Sequence, residues 1–423
     1  MAQLPPPVAA LRLAVRRCLT RFAAPEPEPG RSGLAGAGEG LPGVGEGLPG
    51  AGEGLGGARE RPAGAREGPA GAREGPAGAG EGPAAQGRLV LVACSGGADS
   101  LALAAATAFV APRLGLRTGL VTVDHGLQAG SAQRATAVAS WAAAAGFAPA
   151  EVATVDVAGL PGGPEAAART ARYGALSAVA DRLGAAVVLL GHTRDDQAET
   201  VLLALARGAG PRGLSGMPYR RGIFLRPLLD VSRSDTRKAC AALGLSPWED
   251  PHNSDPAYAR SRVRADALPA LIAALGPGVV DNLARTATQL AMDNAALDEL
   301  AVAALARARS APPSPADTGP RGAPVAGPRA DGPAFAQGGA PLRVTNGVDV
   351  GVLKGLGDAV RGRVLHLWAR ELGAAGGALS HRHVAALDAL VTDWHGQGAT
   401  RLPGDIVVAR RAGTLVRVHP PDM

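Results

Sequence analysis

Apolar runs alternate with amphipathic stretches through the middle of the chain. Four short apolar runs are each followed by a longer stretch of helical spacing: 88–94 and 98–110, 116–124 and 131–145, 151–157 and 164–183, 185–191 and 195–206. Continuously apolar strands that alternate with helices are typical of a parallel sheet covered on both faces. The pattern therefore predicts an α/β fold with a doubly wound parallel sheet.

Helical spacing also occurs before and after this region. Residues 5–22 predict a helix, so we expect an N-terminal unit, 1–24, that packs on the core. Near the other end of the chain, helices are predicted at 276–308, 357–373 and 380–393, and short strands at 405–410 and 414–418. We expect a first domain over 88–264 and a smaller, mostly helical second domain formed by 265–308 and 341–423.

Two further segments carry no such pattern. Residues 39–87 are seven consecutive seven-residue units rich in glycine and proline, beginning with EGLPGVG. Units with glycine or proline throughout and no paired large apolar positions cannot bury enough surface to offset the entropy of the chain. We therefore expect a disordered insert over 25–87 and a flexible proline- and glycine-rich segment over 309–340.

Charge and cysteine content narrow the class of protein. The 423 residues carry a formal net charge of +6, and the nine arginines and nine glutamates of 1–87 cancel. A basic excess permits a nucleic-acid partner without establishing one. Cys18, Cys94 and Cys240 include no closely spaced pair, which excludes a disulfide scaffold and fits a reducing cytoplasm. No apolar run of about 18 residues lacks charges, so we expect a cytoplasmic protein without a membrane partner.

The most informative motif lies between the first apolar run and the first helix after it. It comprises Ser95, Gly96, Gly97, Ala98, Asp99 and Ser100. Glycines let the backbone approach a ligand closely, and successive N–H groups at a helix start form an anion site. The serines add donors, and Asp99 could hold magnesium beside bound phosphates. The alternative is a plain strand-to-helix turn that Asp99 caps.

Polar residues also follow other predicted strands. Asp124 ends the second strand, where it could bind metal or nucleotide, and His192 follows the fourth. His192, Asp195, Asp196 and Glu199 have the spacing that places them on one helix face. Because three carboxylates on one face repel one another, this face is expected to bind cations. A favourable helix dipole is the alternative, but it explains Glu199 poorly.

Several arginines are candidates for binding phosphate or RNA. Arg169 and Arg172 lie one turn apart on the third helix of the alternating region, where they could clamp a phosphate. Arg207 begins a glycine-rich loop that suits close approach to RNA or nucleotide. Three alternating arginines after an aromatic residue suit RNA phosphates and base stacking: Arg260, Arg262 and Arg264. A solvated basic surface is the alternative for the arginines of the helix and of 260–264, and a mobile loop is the alternative for the stretch that Arg207 begins.

These motifs, taken in order, resemble one enzyme family. The loop 95–100 is similar to that of the N-type ATP pyrophosphatases, which cleave ATP into AMP and pyrophosphate. Six further motifs follow: VDHGL at 123–127, RY at 172–173, GHTRDDQAET at 191–200, the glycine-rich stretch 207–217, RPLL at 226–229, and 248–264 with its arginines. Together they resemble the tRNA(Ile)-lysidine synthetase family over about 88–264.

The resemblance implies a fold and a reaction. The fold would be a PP-loop ATP pyrophosphatase of the adenine nucleotide alpha hydrolase type, with a second domain that contacts tRNA. The reaction would join free L-lysine to the first anticodon cytidine, position 34, of a tRNA(Ile) with a CAU anticodon. It would pass through an adenylated cytidine, consume ATP with Mg²⁺, and change the tRNA from methionine to isoleucine specificity. The resemblance is compatible with a homodimer.

The resemblance also implies roles for particular residues. ATP would be bound by the loop 95–100 and Arg172. The catalytic set would be Asp99, Asp124 and His192, with either Asp124 or His192 as the base. The remaining roles are lysine binding by Asp196 and Glu199, metal binding by Asp99 and Asp195, and tRNA binding by Arg207, Arg260, Arg262 and Arg264.

Three other functions are weighed against this one. A tRNA thiolase of the same ATP-cleaving class requires paired cysteines or a set of ligands for an iron–sulfur cluster, which three scattered cysteines cannot supply. An amidotransferase-coupled ligase needs a glutaminase region, and none is visible. A non-catalytic nucleotide-sensing or RNA-binding module would not need both the loop 95–100 and the helix that carries Asp195, Asp196 and Glu199 (the carboxylate helix). Release of pyrophosphate would distinguish this module from an enzyme.

Overall fold

The computed structural model describes residues 4–23, 87–126, 128, 130–156, 163–250, 255–311 and 347–418. The expected disordered insert and the expected flexible segment fall outside these ranges, apart from 87 and 309–311 at their edges. Within the described ranges, no single helix is long and apolar enough to cross a membrane. Only Ala259–Leu275 and Val279–Ser310, bent by 101° relative to each other, reach that length and composition together.

A six-stranded sheet forms the centre of the first domain. Its strands lie in the order β3-β2-β1-β4-β6-β5. Their bounds are β1 Leu89–Ala93, β2 Arg117–Asp124, β3 Ala150–Thr154, β4 Val187–Leu190, β5 Arg220–Arg221 and β6 Phe224–Leu225. All neighbours pair in parallel except β5, which is antiparallel to β6. The predicted α/β fold with a doubly wound parallel sheet is confirmed.

Helices connect these strands and follow the predicted bounds to within one residue. They are α1 Pro6–Ala23, α2 Ala98–Val110, α3 Ser131–Ala144, α4 Gly163–Arg182 and α5 Arg194–Ala206. The amphipathic α1 buries Val8, Leu11, Val15 and Leu19 in the same core cluster as α2 and α7 (Arg233–Ala242). Each of those four side chains is at most 2% exposed, so this packing stabilises the face of the domain that bears α2.

Several elements after residue 207 are not predicted by the sequence pattern. They are α6 Pro211–Leu214, the hairpin β5–β6, α7, α8 Ala259–Arg262, a π-helical turn Val263–Ala267 and α9 Leu268–Leu275. Most are too short to show a period. α7 begins where the side chain of Ser232 accepts the backbone N–H of Asp235 at 3.0 Å, an N-cap that fixes its first residue, Arg233.

The second domain contains a small antiparallel sheet and helices. The sheet order is β7-β10-β9-β8, with β7 Val348–Asp349, β8 Thr400–Leu402, β9 Ile406–Arg411 and β10 Thr414–Val418. The helices are α10 Val279–Ser310, α11 Val350–Lys354, α12 Asp358–Glu371 and α13 His381–Thr392. The smaller second domain with substantial helical content is confirmed, and its core surrounds the fully buried Trp368.

The long helix α10 joins the two domains. It packs against α5 of the first domain and against α12 of the second. On α10, Asp298 pairs with Arg212 of α6 and lies 2.7 Å from the guanidinium of Arg363 on α12. Asn294, one turn earlier, donates to the carbonyl of Pro211 at 3.0 Å. The second domain is therefore anchored beside the glycine-rich loop that follows α5.

Candidate functional site

An open cavity of about 750 Å³ lies at the carboxyl ends of β1, β2 and β4. Its walls are the loop 95–100, the residues that follow β2 and β4, the start of α7, and the segment 247–250. This is the edge at which doubly wound sheets bind their ligands. The cavity lining includes these predicted site residues: Ser95, Gly97, Ala98, Asp99, Ser100, Asp124, Arg172, His192, Asp196 and Arg264.

The loop between β1 and α2 is held open by its own hydroxyl groups. The backbone N–H of Ser95 donates to the hydroxyl oxygen of Ser100 at 3.1 Å, and that hydroxyl donates to the carbonyl of Gly97 at 3.0 Å. Gly96 adopts a φ of +85°, which favours glycine. Its carbonyl accepts the N–H of Trp248 at 3.0 Å. The loop thereby keeps a fixed shape at the N-terminus of α2, the geometry of an anion site.

Gly191 lets β4 approach this loop closely. A Cβ atom at this position would lie 3.0 Å from Cα of Ser100 and 3.1 Å from the backbone carbon and oxygen of Asp99. These distances to backbone atoms are shorter than in most Cβ contacts, so a side chain here would force the loop or β4 to shift by a few tenths of an ångström. The sequence motif GHTRDDQAET therefore begins with glycine for a reason of packing, and the next residue, His192, reaches the cavity.

Asp99 is a partly buried carboxylate between the loop and α7. It accepts a hydrogen bond from the hydroxyl of Thr236, and its side chain is 26% exposed. Burial, opposed by the Thr236 hydrogen bond and assisted by the negative charge of Asp196, raises the pKa of Asp99 to about 6. Ionisation of Asp99 is thus less favourable than that of an exposed aspartate, and a bound cation would offset the difference.

The two candidate bases differ in their surroundings. Asp124 accepts the N–H of Gly126 at 3.0 Å, and hydrogen bonds from the Ser131 side chain and from Gly126 lower its pKa. Burial lowers the pKa of His192 to about 3, despite the nearby charge of Asp196. His192 is therefore neutral at pH 7, and its Nδ1 has no hydrogen-bond partner among the described residues.

Arg172 brings positive charge to the same cavity from α4. Its Nε atom is buried and has no partner within the described part of the chain, although the side chain also interacts with Tyr173. Burial, together with the charge of Arg169, lowers the pKa of Arg172. A guanidinium in the same cavity as the loop 95–100, which we call the phosphate-type loop, is suited to an anionic ligand.

Glu199 is enclosed by three arginines. It is completely buried, and its oxygens lie 2.8 Å from Nε of Arg264, 3.0 Å from Nε of Arg260 and 3.0 Å from Nη2 of Arg233. The spacing of the carboxylates on this helix face predicts an external cation that relieves their repulsion. The structure corrects that expectation for Glu199, because the chain itself supplies the cations and the carboxylate does not line the cavity.

Asp196 and Asp195 have different positions although they are neighbours. Asp196 lines the cavity, and its Oδ1 lies 2.9 Å from Nη2 of Arg233. Its Oδ2 accepts the backbone N–H and the hydroxyl of Thr193 at 2.8 and 3.0 Å, which caps α5. Asp195 is not part of the lining, and its carboxylate accepts the backbone N–H of Arg233 at 2.8 Å. The expected metal pair of Asp99 and Asp195 is therefore not brought together at the cavity.

The four arginines expected to bind tRNA fall into two groups. Arg207 and Arg262 are exposed, and Arg262 donates to the carbonyls of Pro256 and Ala257. Arg260 and Arg264 instead face inward and hold Glu199. The π-helical turn Val263–Ala267 follows α8 directly. It is where the chain turns Arg264 toward α5. The side chains of Arg260 and Arg264 are 27% and 32% exposed, and both pair with the buried carboxylate of Glu199. Their binding of tRNA stays a prediction.

Arg233 is the functional candidate that the sequence analysis misses. It lines the cavity, is 16% exposed, and contacts Asp99, Asp196 and Glu199. Burial opposes its charge, but Asp196, Glu199 and Asp99 outweigh burial and raise its pKa. The capping pair Ser232 and Asp235 signals the start of a helix there, yet no spacing in the sequence connects Arg233 to α2 or α5.

The glycine-rich loop after α5 is fixed to that helix by one side chain. The amide of Gln197 donates to the carbonyl of Met217 at 3.0 Å and accepts its N–H at 2.7 Å. Gly216 has a φ of +64°, and a Cβ atom there would lie 2.5 Å from the Gln197 oxygen. This loop therefore has a defined attachment next to the carboxylate helix, rather than being simply mobile.

Two regions of the chain match known protein families. Residues 80–271 match the family described as "PP-loop domain", and residues 349–416 match the "TilS substrate binding domain". A solved structure, "U34-tRNA thiolase NcsA from Methanococcus maripaludis with its [4Fe-4S] cluster", has a TM-score of 0.41 and 19% identity. It covers 48% of this chain and 73% of that chain, a likeness too weak to bear on function.

Much closer relatives are known. The protein named "tRNA(Ile)-lysidine synthase" from Salinispora tropica is 65% identical over 335 residues, which are 78% of this chain and 91% of that protein. Proteins of the same name are 51% identical in Thermobifida fusca, over 78% of this chain and 91% of the relative, and 53% identical in Streptomyces coelicolor, over 78% and 84%. On this similarity and the two matched domains, the chain belongs to the tRNA(Ile)-lysidine synthase family.

Proposed function

We propose that this chain is an ATP-dependent ligase that joins L-lysine to cytidine 34 of tRNA(Ile) bearing a CAU anticodon. ATP is the substrate that activates the cytidine, and AMP and pyrophosphate are released. Membership of the family and the matched PP-loop domain support the ligase class and the use of ATP. The product, lysidine, changes the tRNA from methionine to isoleucine specificity.

One observation carries the proposal for the free amino acid substrate. The loop 95–100 and the carboxylate of Asp196 border the same cavity. Asp196 can accept an ammonium group, and the guanidinium of Arg264 in the same lining can donate to a carboxylate. An ammonium group and a carboxylate are the two charged groups that every free amino acid presents at pH 7.

Asp196 is the acid that the geometry favours for an ammonium group of lysine. It lines the cavity, whereas Glu199 lies behind it with no exposed surface. We propose that Glu199 serves the lysine site through Arg264, whose Nε it holds at 2.8 Å. The guanidinium of Arg264, which also lines the cavity, is placed for the carboxylate of the amino acid.

The loop 95–100 and Arg172 are proposed to hold the phosphates of ATP. Backbone N–H groups at the start of α2 and the guanidinium of Arg172, which lines the cavity, supply donors. The described residues contain no group of three His, Cys, Asp or Glu side chains suited to a metal. The protein would therefore supply only part of the ligands of a magnesium ion. Asp99 is the carboxylate that would hold it beside the phosphates. The ion would neutralise charge on the leaving pyrophosphate.

Adenylation solves the main chemical difficulty of this reaction. The 2-carbonyl of cytidine is a poor electrophile, and attachment of AMP converts its oxygen into a leaving group. The lysine amine must then lose a proton before it attacks. We propose His192 as the acceptor, because it is neutral and lines the cavity. Bound phosphates would raise its low pKa toward the working range.

The tRNA is proposed to lie across the exposed arginines and the second domain. Arg207 and Arg262 are the two predicted tRNA ligands that remain on the surface. The matched substrate-binding domain at 349–416 supports a role for the second domain in holding the tRNA. A homodimer stays a prediction, which sedimentation of the purified protein would test.

Sulfur transfer is not favoured by the cysteines that border the cavity. Burial raises the pKa of Cys94, and burial together with Asp99 raises that of Cys240 to about 11. Both residues therefore remain thiols at pH 7, whereas the thiolate is the reactive form.

Mass analysis of anticodon nucleosides tests the proposal directly. The purified protein is incubated with ATP, magnesium, lysine and tRNA(Ile) bearing a CAU anticodon. We expect lysidine at position 34, and equal amounts of pyrophosphate and AMP. Omission of lysine should leave tRNA-dependent pyrophosphate release intact. Unmodified cytidine in the complete reaction, with a folded protein, would overturn the proposal.

A further inference from the structure

One guanidinium connects the two halves of the candidate site. Nη2 of Arg233 lies 2.9 Å from Asp196 and 3.0 Å from Glu199, and its Nε lies 3.8 Å from Oδ2 of Asp99. Asp99 belongs to the phosphate-type loop, while Asp196 and Glu199 belong to the carboxylate helix. Arg233 therefore stands between the place proposed for ATP and the place proposed for lysine.

The hydrogen bonds of Asp196 create a competition at its outer oxygen. Oδ2 is occupied by both donors of Thr193, an arrangement that caps α5. Oδ1 is the oxygen left to an incoming ammonium group, where Nη2 of Arg233 lies at 2.9 Å and Nη2 of Arg264 at 3.6 Å. Arg233 is the nearer competitor, so lysine pairs with Asp196 by sharing Oδ1 with Arg233 or by displacing it.

The backbone of Arg233 is fixed while its side chain has a second acceptor nearby. Its N–H donates to Asp195 at the start of α7, so the Cα atom cannot move far. Nε of Arg233 already lies 3.8 Å from Oδ2 of Asp99, so the guanidinium has a second acceptor on the side of the loop 95–100. When Nη2 leaves Asp196 it also leaves Glu199, which keeps Arg260 and Arg264 as partners. Arg260 differs, because it holds Glu199 without lining the cavity or contacting Asp99.

We infer that Arg233 is an exchangeable counterion that couples the two small substrates. An ammonium group of lysine takes Oδ1 of Asp196 and releases the guanidinium toward Asp99 and the phosphates of ATP, which it binds as a forked donor. The inference rests on the proposed function. Because coupling is reciprocal, lysine tightens the binding of ATP and ATP tightens the binding of lysine by the same factor. Arg233 is thus a positioning residue.

Calorimetric titration measures this coupling without turnover. The full-length protein is titrated with the α,β-methylene analogue of ATP and magnesium, with and without saturating lysine. For the wild type we expect lysine to tighten the analogue by about tenfold, within the usual range of such couplings. In Arg233→Met the factor should fall to about one, while lysine binding without nucleotide is not weakened, because its competitor is gone.

Arg260→Met is the matched control. It also removes one guanidinium from Glu199 but does not touch Asp99, so the coupling factor should stay at the wild-type value. Should Arg233→Met fail to fold, Arg233→Lys replaces it as the test. Arg233→Lys keeps the positive charge but not the forked donor geometry, and we expect this variant to lower the coupling factor at least threefold.

Each outcome decides the inference. An unchanged coupling factor in Arg233→Met, or in Arg233→Lys if that variant carries the test, overturns it. Lysine binding weakened tenfold in Arg233→Met without nucleotide also overturns it, because Arg233 would then be a fixed part of the lysine site. Formation of lysidine by the wild type with unaltered coupling in the variant would refute this inference alone. Absence of lysidine would refute the proposed function itself.

Discussion

Replacing Asp99 by asparagine is expected to make the free protein more stable while destroying its ability to cleave ATP. The pKa of this carboxyl is raised from an ordinary 3.8 to about 6, chiefly by burial. Asparagine keeps an oxygen for the Thr236 hydroxyl and removes the charge whose burial is unfavourable. Loss of pyrophosphate release is expected because Asp99 is the carboxylate proposed to hold magnesium beside the phosphates.

The size of the gain follows from the two pKa values. Above pH 6 the folded protein ionises Asp99 at a cost of about 3 kcal/mol relative to the unfolded chain. Between pH 4 and 6 the folded state binds more protons than the unfolded state, so this contribution lowers stability as the pH rises. The Asp99→Asn variant lacks this pH-dependent contribution to stability. The side chain is 26% exposed, so about 3 kcal/mol is an upper limit.

Urea unfolding at several pH values, without ligands, provides the assay. The two proteins should have similar free energies of unfolding near pH 4, and the variant should exceed the wild type by about 2 to 3 kcal/mol at pH 7. Asp124→Asn is the matched control of opposite sign. Hydrogen bonds from Ser131 and Gly126 lower the pKa of Asp124, so that carboxylate stabilises the fold at pH 7 and its loss should destabilise it.

Two results would refute this reasoning. One is an Asp99→Asn protein less stable than the wild type at pH 7, and the other is a difference that does not change between pH 4 and 7. Normal release of pyrophosphate by the folded variant would leave the stability argument intact and remove Asp99 from the ATP site.

Three further changes test other parts of the structure. Glu199→Gln leaves Arg233, Arg260 and Arg264 without their shared buried anion and should lower the free energy of unfolding by about 3 to 5 kcal/mol. The variant should also need a higher lysine concentration. A stability within about 0.5 kcal/mol of the wild type would contradict this ion-pair network. Gly191→Ala places a Cβ atom 3.0 Å from Cα of Ser100. It should raise the KM for ATP at least tenfold and leave the KM for lysine unchanged. Unchanged ATP kinetics would show that the loop 95–100 can shift without losing its function. Trp368→Ala empties the core of the second domain and should cost about 3 to 5 kcal/mol, seen as an earlier unfolding step by calorimetry; a single unchanged transition would count against it.

Local sequence is sufficient for much of the phosphate-type loop. Its six residues are consecutive, and the glycine and serine requirements act within one turn of the chain. The strands and helices around it are likewise set by patterns within about 10 to 20 residues. For this reason the doubly wound sheet and the position of the loop at its edge follow from the sequence.

Long-range pairing decided the rest of the site. Helix periodicity places Asp196 and Glu199 on one face, but it does not reveal that Arg233, Arg260 and Arg264 fold back over that face. Those arginines lie on α7 and around a π-helical turn that no period in the sequence announces. The sequence therefore determined which side chains carry charge. Only the tertiary structure decided which charges neutralise each other, because ion pairing depends on distance in space between segments separated by 34 to 68 positions along the chain.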